Sequence, residues 1–225
     1  MFQRIKEDIQ AVKERDPAAR NGVEIFFLYS GLHAIWYHRL SHKLYTHKWY
    51  GLARFVSQWA RFWTGIEIHP GAEIGRGVFI DHGAGIVIGE TAVVGDDCTI
   101  YQGATLGGTG KETGKRHPTL GNHVLVGCGA KILGPFSVGD NSKIAANAVV
   151  LREVPANCTA VGVPATVVRR DGKKVVGPPY QQDMDVIHIP DPVNRKMEML
   201  LLRVEQLEQK IKQMERKDYY EHGNL

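Results

Sequence analysis

A six-residue beat runs through the middle of this 225-residue chain and leaves few folds open to it. Aliphatic residues fall at Ile68, Ile74, Ile80 and Ile86, then slip by two places to Ile88, Val94, Ile100 and Leu106. After a break they return at Val126, Ile132, Val138, Ile144 and Val150. Two places before most of them stands a smaller side chain: Ala72, Val78, Ala84, Ala92, Cys98, Ala104, Ala130, Ser142 or Ala148. Residues two apart on a strand share a face, so the small and the large position of each hexad both point inward. Each hexad then makes one flat side of a prism, and three close a coil of about 18 residues, the signature of a parallel β-helix. Residues 66–106 and 124–154 supply roughly four such coils. An antiparallel barrel of short strands would instead show turn signals every ~8–12 residues and no strict beat.

The flanks follow other periods. Residues 1–64 carry helical spacing, with Asp16-Pro17 reading as a helix start in which Asp16 is the cap. His38 and His42 stand four apart in an aromatic stretch, where packing histidines are expected rather than metal ligands. The β-helix is expected over 65–168, interrupted by a loop at 107–123 that is long enough to be functional. A linker follows over 169–196. Met197, Leu200, Val204, Leu207, Ile211 and Met214 then keep an a/d register for about two and a half heptads, which predicts a coiled-coil helix over 197–217. The fold class expected is thus mainly β, a β-helix with an N-terminal α-helical segment and a C-terminal coiled-coil helix.

Composition narrows the function. The net charge of +4 is spread rather than gathered into a basic stripe, which argues against a nucleic-acid partner and fits a small anionic ligand. Cys98, Cys128 and Cys158 are odd in number and lack CxxC spacing, so they read as free thiols of a reducing compartment. The first residues lack the apolar core of a signal peptide, and no stretch reaches the length of a membrane span. A cytoplasmic protein without a membrane partner is expected.

The polar residues that break the repeat are Glu67, His69, Asp81, His82, Arg116, His117 and His123. A histidine is the readiest general base near neutral pH, and it works best when a carboxylate orients its other ring nitrogen. Asp81 and His82, as successive strand residues, are expected to point apart. Glu67, fifteen residues before His82, could reach it from a neighbouring corner, so Glu67–His82 is the dyad that the spacing suggests.

Several runs resemble bacterial serine O-acetyltransferases: Asp16-Pro17, Tyr29-Ser30-Gly31-Leu32-His33-Ala34, Ile66-Glu67-Ile68-His69-Pro70-Gly71-Ala72, Asp81-His82-Gly83-Ala84-Gly85 through Gly89-Glu90-Thr91-Ala92, Thr105-Leu106-Gly107-Gly108-Thr109-Gly110 and Arg116-His117-Pro118. The likeness runs over about residues 1–170. It implies a left-handed β-helix, against the usual hand of parallel crossovers. It also implies transfer of acetyl from acetyl-CoA to the hydroxyl of L-serine, the first step of cysteine biosynthesis from serine, with no metal, in a homotrimer or a dimer of trimers. His82 matches the family's general base, and Glu67 stands where members commonly have aspartate. Asp16, Asp81, Arg116 and His117 match residues that hold serine. The pantetheine arm is expected near Gly108, Ala130 and Ala146, with Lys131 and Lys143 near its phosphates. L-Cysteine is expected as a feedback inhibitor. Family members also dock into O-acetylserine sulfhydrylase through a terminal isoleucine; here Leu225 is last, which argues against that partnership.

Three rival readings share the fold. His82, His117 and His123 could be zinc ligands, as in γ-class carbonic anhydrases, but Arg116 and Asp16 have no task in that scheme. Another hexapeptide acyltransferase of different acceptor is a second alternative, and a non-catalytic scaffold, the third, would leave Glu67, His82 and the loop unexplained.

Overall fold

Short strands that pair only with the coil above and below stack into a parallel β-helix in this computed structural model, which describes residues 2–110, 113–174, 200–204 and 207–208. Numbered along the chain, the strands form three faces. The first holds β1 (Glu67–Ile68), β4 (Val87–Ile88), β7 (Thr105–Gly107), β10 (Lys131–Leu133) and β13 (Val149–Val150). The second holds β2 (Glu73–Ile74), β5 (Val93–Val94), β8 (Thr119–Leu120) and β11 (Ser137–Val138). The third holds β3 (Phe79–Asp81), β6 (Thr99–Tyr101), β9 (Leu125–Val126) and β12 (Lys143–Ile144). It continues through β14 (Cys158–Gly162) into the antiparallel β15 (Ala165–Arg170) and β16 (Lys173–Lys174). The sheet therefore runs past the boundary expected at residue 168, into the segment read as linker.

Register explains the slips in the beat. Lys131 pairs with Val149, and Val87 with Thr105, each a regular coil of 18 residues. Glu67 pairs with Val87, so the first coil holds two residues more. Val93 pairs with Thr119, a coil lengthened by the loop after β7. Between those departures the inward pattern holds: Ile88, Ile100, Leu106, Ile132 and Ile144 are at most 1% exposed, as are Ala92, Cys98, Ala104 and Ala148. Each such aliphatic side chain stabilises the fold by about 1.5–3 kcal/mol. Ala84 is the exception. It was expected inward, yet it is exposed, because the two added residues swell the corner between β3 and β4 and Gly83 is buried instead.

Four helices pack beside the first coil: α1 (Phe2–Arg15), α2 (Gly22–Leu28), α3 (Ser30–Thr46) and α4 (Tyr50–Thr64). Asp16 does not start a helix. It follows the end of α1, and the cap of α2 is Asn21, whose side chain accepts from the amides of Val23 and Glu24. Asp8 is 3% exposed and takes two hydrogen bonds from Arg39 and one from Trp36, which locks α1 to α3. Val12, Ile25, Leu32 and Phe79 form a second small core that seats these helices on the third face. His38 is buried and neutral, its pKa pushed down to about 3, first by burial and then by His42. One side of α4 leaves Phe55, Trp59, Phe62 and Trp63 exposed in ring contact. Among the described residues no helix is long and apolar enough to cross a membrane.

Gly31, in the first turn of α3, is where helix and β-helix touch: a Cβ there would lie 2.2 Å from the Ile80 carbonyl oxygen and 2.8 Å from Ile80 Cβ. Backbone cannot yield that far. Gly31→Ala is expected to destabilise the protein by about 1–3 kcal/mol in urea unfolding. An unchanged midpoint would mean that α3 is not seated on β3 in solution. In the C-terminal unit, residues 190–225, positions 200–204 and 207–208 are helical; the remainder of the coiled coil expected over 197–217 lies outside the described residues.

Candidate active site

The two irregular coils are where the polar residues gather, and they do so at two different corners of the prism. His82 stands at the corner between the third and first faces, just past β3, with φ of 56°. Its side chain is 73% exposed, and its Nε2 lies 3.9 Å from Asp81 Oδ1. The expectation that Asp81 and His82 point apart fails here, because strand alternation ends at a left-handed corner residue. Ser30 at the start of α3 donates its hydroxyl to the His82 carbonyl at 3.4 Å.

Asp16 belongs to the same corner. Arg15, just before it, pins the end of α1 to the start of β6 on the third face, donating to Asp97 Oδ1 at 2.9 Å, to the Cys98 carbonyl at 3.2 Å and to Thr99 Oγ1 at 3.3 Å. The Asp16 carboxylate accepts from the Ala18 amide at 2.8 Å and from the Tyr29 hydroxyl at 2.7 Å. Burial, then the Asp16 hydrogen bond, push the Tyr29 phenol up to about 12, so it remains a donor. The charges of Asp16 and Asp81 both act on Tyr29 and on Tyr101, so negative charge gathers here beside an open imidazole.

Arg116 and His117 occupy the next corner, between the first and second faces, where the long loop returns to β8. Thr91 knots them in place: its hydroxyl accepts from the Arg116 amide at 3.0 Å and the His117 amide at 3.1 Å. The Thr91 amide donates to His117 Nδ1 at 3.2 Å, which puts the proton of the neutral ring on Nε2. Burial, then the Arg116 charge, hold the His117 pKa below the usual range. The ring lies flat on Gly89, where a Cβ would come within 2.0 Å of it. Gly108 also belongs here, close against Arg116 and His117. Arg116 Nη2 donates to Glu90 Oε2 at 2.5 Å. That bond, opposed by partial burial and aided by Tyr45, holds the Glu90 carboxyl below the ordinary range. A cavity of about 380 Å³ opens beside it, lined by Tyr45, Tyr50, Arg54, His69, Pro70 and Glu90.

Glu67 sits with this second group. Its carboxylate takes Arg54 Nη2 at 3.3 Å and Arg61 Nη1 at 2.9 Å, both from α4, and its charge acts on His69. The expected Glu67–His82 pair is therefore not formed within one subunit: among the described residues no ion pair or hydrogen bond joins them. The physical reason is the outward turn of Glu67 on β1, toward the arginines of α4. His123 stands at the third corner, between the second and third faces, with its amide on the Asp96 carbonyl. His82, His117 and His123 thus occupy three separate corners.

The residues expected around the cofactor are spread over the first and third faces and the corners beside them. Gly85, Gly103 and Gly129 stack up the His82 corner, all with positive φ, and a Cβ at Gly103 would lie 3.5 Å from Gly129 Cα. This bare edge climbs from His82 to the half-buried Ala146. Lys131 reaches across it to the Gly103 carbonyl, and Lys143 is exposed on the third face. Ala130 is fully buried in the core, so its side chain does not line a groove. Tyr29, Glu90, Tyr45 and Thr91 are site residues that spacing missed. Glu90-Thr91 lay inside a quoted run, and their polarity at a corner of an apolar repeat was the available signal.

Residues 1–36 match the family model described as serine acetyltransferase, N-terminal, and residues 117–152 match bacterial transferase hexapeptide (six repeats). A serine acetyltransferase of Bacillus licheniformis is 51% identical over 96% of this chain and 98% of its own length. That of Bacillus subtilis is 52% identical over 88% of this chain and 89% of its own. The solved serine acetyltransferase of Neisseria gonorrhoeae in complex with serine superposes with a TM-score of 0.72 at 42% identity, over 75% of this chain and 69% of that one. A serine acetyltransferase in complex with cysteine superposes at 0.74 and 45% identity, over 76% of this chain and 66% of that one. On this identity and coverage, the chain belongs to the serine acetyltransferase family.

Proposed function

We propose that this protein transfers the acetyl group of acetyl-CoA to the hydroxyl of L-serine, giving O-acetyl-L-serine and CoA for cysteine synthesis. The observation that carries the reading is the pair of complementary half-sites: an open histidine among carboxylates at one corner, and an arginine with a free edge at the next. Asp16 and Asp81 receive the ammonium, and the guanidinium of Arg116 receives the carboxylate. His82 takes the hydroxyl proton as the serine oxygen attacks the thioester carbon. The tetrahedral intermediate then collapses, and the departing CoA sulfur takes that proton from His82. His117 Nε2–H and the amide of Gly108 supply donors toward developing oxyanion charge. The glycine edge above His82 is the track for the pantetheine arm, with Lys131 and Lys143 toward its phosphates. A cytoplasmic setting, where acetyl-CoA is made and used, goes with this reading.

Two corners of one prism cannot close on one amino acid, so a second subunit must supply the missing half. A homotrimer does this at each of its interfaces, and the exposed rings of α4, which ends at Thr64 beside the His82 corner, are the apolar surface it would bury. Glu67, which stands with the Arg116 half, then meets the His82 of a neighbour, and the expected dyad forms across the boundary. The test is release of CoA thiol with serine, homoserine, a galactoside and chloramphenicol as acceptors; serine alone should support turnover at low millimolar concentration. His82→Ala and Arg116→Ala chains, each with little turnover at low millimolar serine, should regain a substantial fraction of it when unfolded and refolded together, because some mixed interfaces unite two intact halves. No recovery in assembled mixed oligomers would place the whole site in one subunit.

A further inference from the structure

We propose that Glu90 and Tyr45 are positioning residues for Arg116, fixing which edge of its guanidinium is offered to the acceptor's carboxylate. The proposal rests on the acetyltransferase reading and concerns the serine half-site. Both oxygens of Glu90 are committed: Oε2 to Arg116 Nη2 at 2.5 Å and Oε1 to the Tyr45 hydroxyl at 3.1 Å. Among the described residues, Arg116 Nε and Nη1 make no hydrogen bond. Glu90 therefore takes one of the two N–H groups of Nη2, and the other, paired with Nε or Nη1, leaves one two-donor edge for a planar carboxylate, the geometry in which a guanidinium binds best.

Tyr45 brings the helical segment into this arrangement. It lies one residue from the end of α3, while Glu90 stands at a β-helix corner and Arg116 at the foot of the loop. Its ring is fixed edge-on against His69 at 5.9 Å and Tyr50 at 5.1 Å. Gly71 makes the meeting sterically possible: a Cβ there would lie 3.0 Å from the Glu90 carbonyl oxygen and 3.2 Å from both Glu90 Cγ and Tyr45 Cζ. Three separate parts of the chain converge on one side chain, and the glycine of the Pro70-Gly71-Ala72 run clears the space. An arginine on a long stem loses considerable freedom when it binds a ligand, and a held arginine has lost it beforehand.

Tyr45→Phe removes one oxygen and no ring, so folding is preserved while Glu90 is loosened. The expected result is a rise in KM for serine of roughly three- to tenfold, from loss of one hydrogen bond in the chain, with kcat and the KM for acetyl-CoA within about twofold of wild type. Glu90→Gln should act in the same direction and more strongly, because it also discharges the partner of Arg116. The decisive comparison is a double-mutant cycle: in an Arg116→Ala background, Tyr45→Phe should add nothing to the serine KM. If Tyr45→Phe raises both KM values equally, or keeps its full effect without Arg116, Tyr45 is only packing the helix and the proposal is wrong. A wild-type protein that fails to acetylate serine at all would bring down the acetyltransferase reading instead.

Discussion

His82→Ala is expected to lower turnover by about a hundredfold or more, with the β-helix still folded. The side chain is 73% exposed, so its removal takes nothing from the core. What disappears is the imidazole beside Asp16 and Asp81, the proposed acceptor for the serine proton. Position 82 has φ of 56°, which alanine adopts less readily than histidine or asparagine. His82→Asn separates the two effects, since asparagine keeps the turn and cannot act as a base. Both variants should bind serine by calorimetry and fail in steady-state turnover. Near-normal turnover in either one would remove His82 from the mechanism.

Arg116→Ala is expected to weaken serine and L-cysteine together, by roughly 2–4 kcal/mol each, because the same carboxylate loses the same partner. The two amino acids share an ammonium and a carboxylate and differ in one atom, hydroxyl against thiol. Asp16, Asp81 and Arg116 cannot readily tell them apart. A thiol beside His82 can give up its proton to the imidazole and form a thiolate–imidazolium contact, stronger than the neutral contact of serine. L-Cysteine should therefore compete with serine and close a feedback loop on its own synthesis. Initial rates with varied serine at several fixed cysteine concentrations test this. A purely noncompetitive pattern, or a variant that loses one ligand and keeps the other, would put cysteine at a different place.

The fold was legible because its energetics repeat. Ile88, Leu106, Ile132 and Val150 face inward for the same reason each time, and burial at a period of six allows little but a prism of strands. The site was legible as irregularity. Two residues inserted between Ile80 and Ile88 made the corner that displays His82, and the residues inserted after Leu106 made the loop that delivers Arg116 and His117. Where periodicity was trusted inside those insertions it failed: Ala84 is outside, and Asp81 lies near His82 rather than opposite it. Ala130, in perfect register, keeps to it: its side chain is core.

By itself, then, the sequence determined the parallel β-helix, the helical segment before it and the identity of the charged residues available for chemistry, because each follows from local periodicity or from side-chain type. Only the tertiary structure decided who stands beside whom. It turned Glu67 toward Arg54 and Arg61, moved Asp16 from a helix start to the end of α1 and tied it to Tyr29, and joined Tyr45 to Glu90 and Arg116. It also set His82 and Arg116 at different corners. Those are contacts between residues up to dozens of positions apart, set by how coils stack and where helices seat, and no short-range pattern in a sequence encodes them.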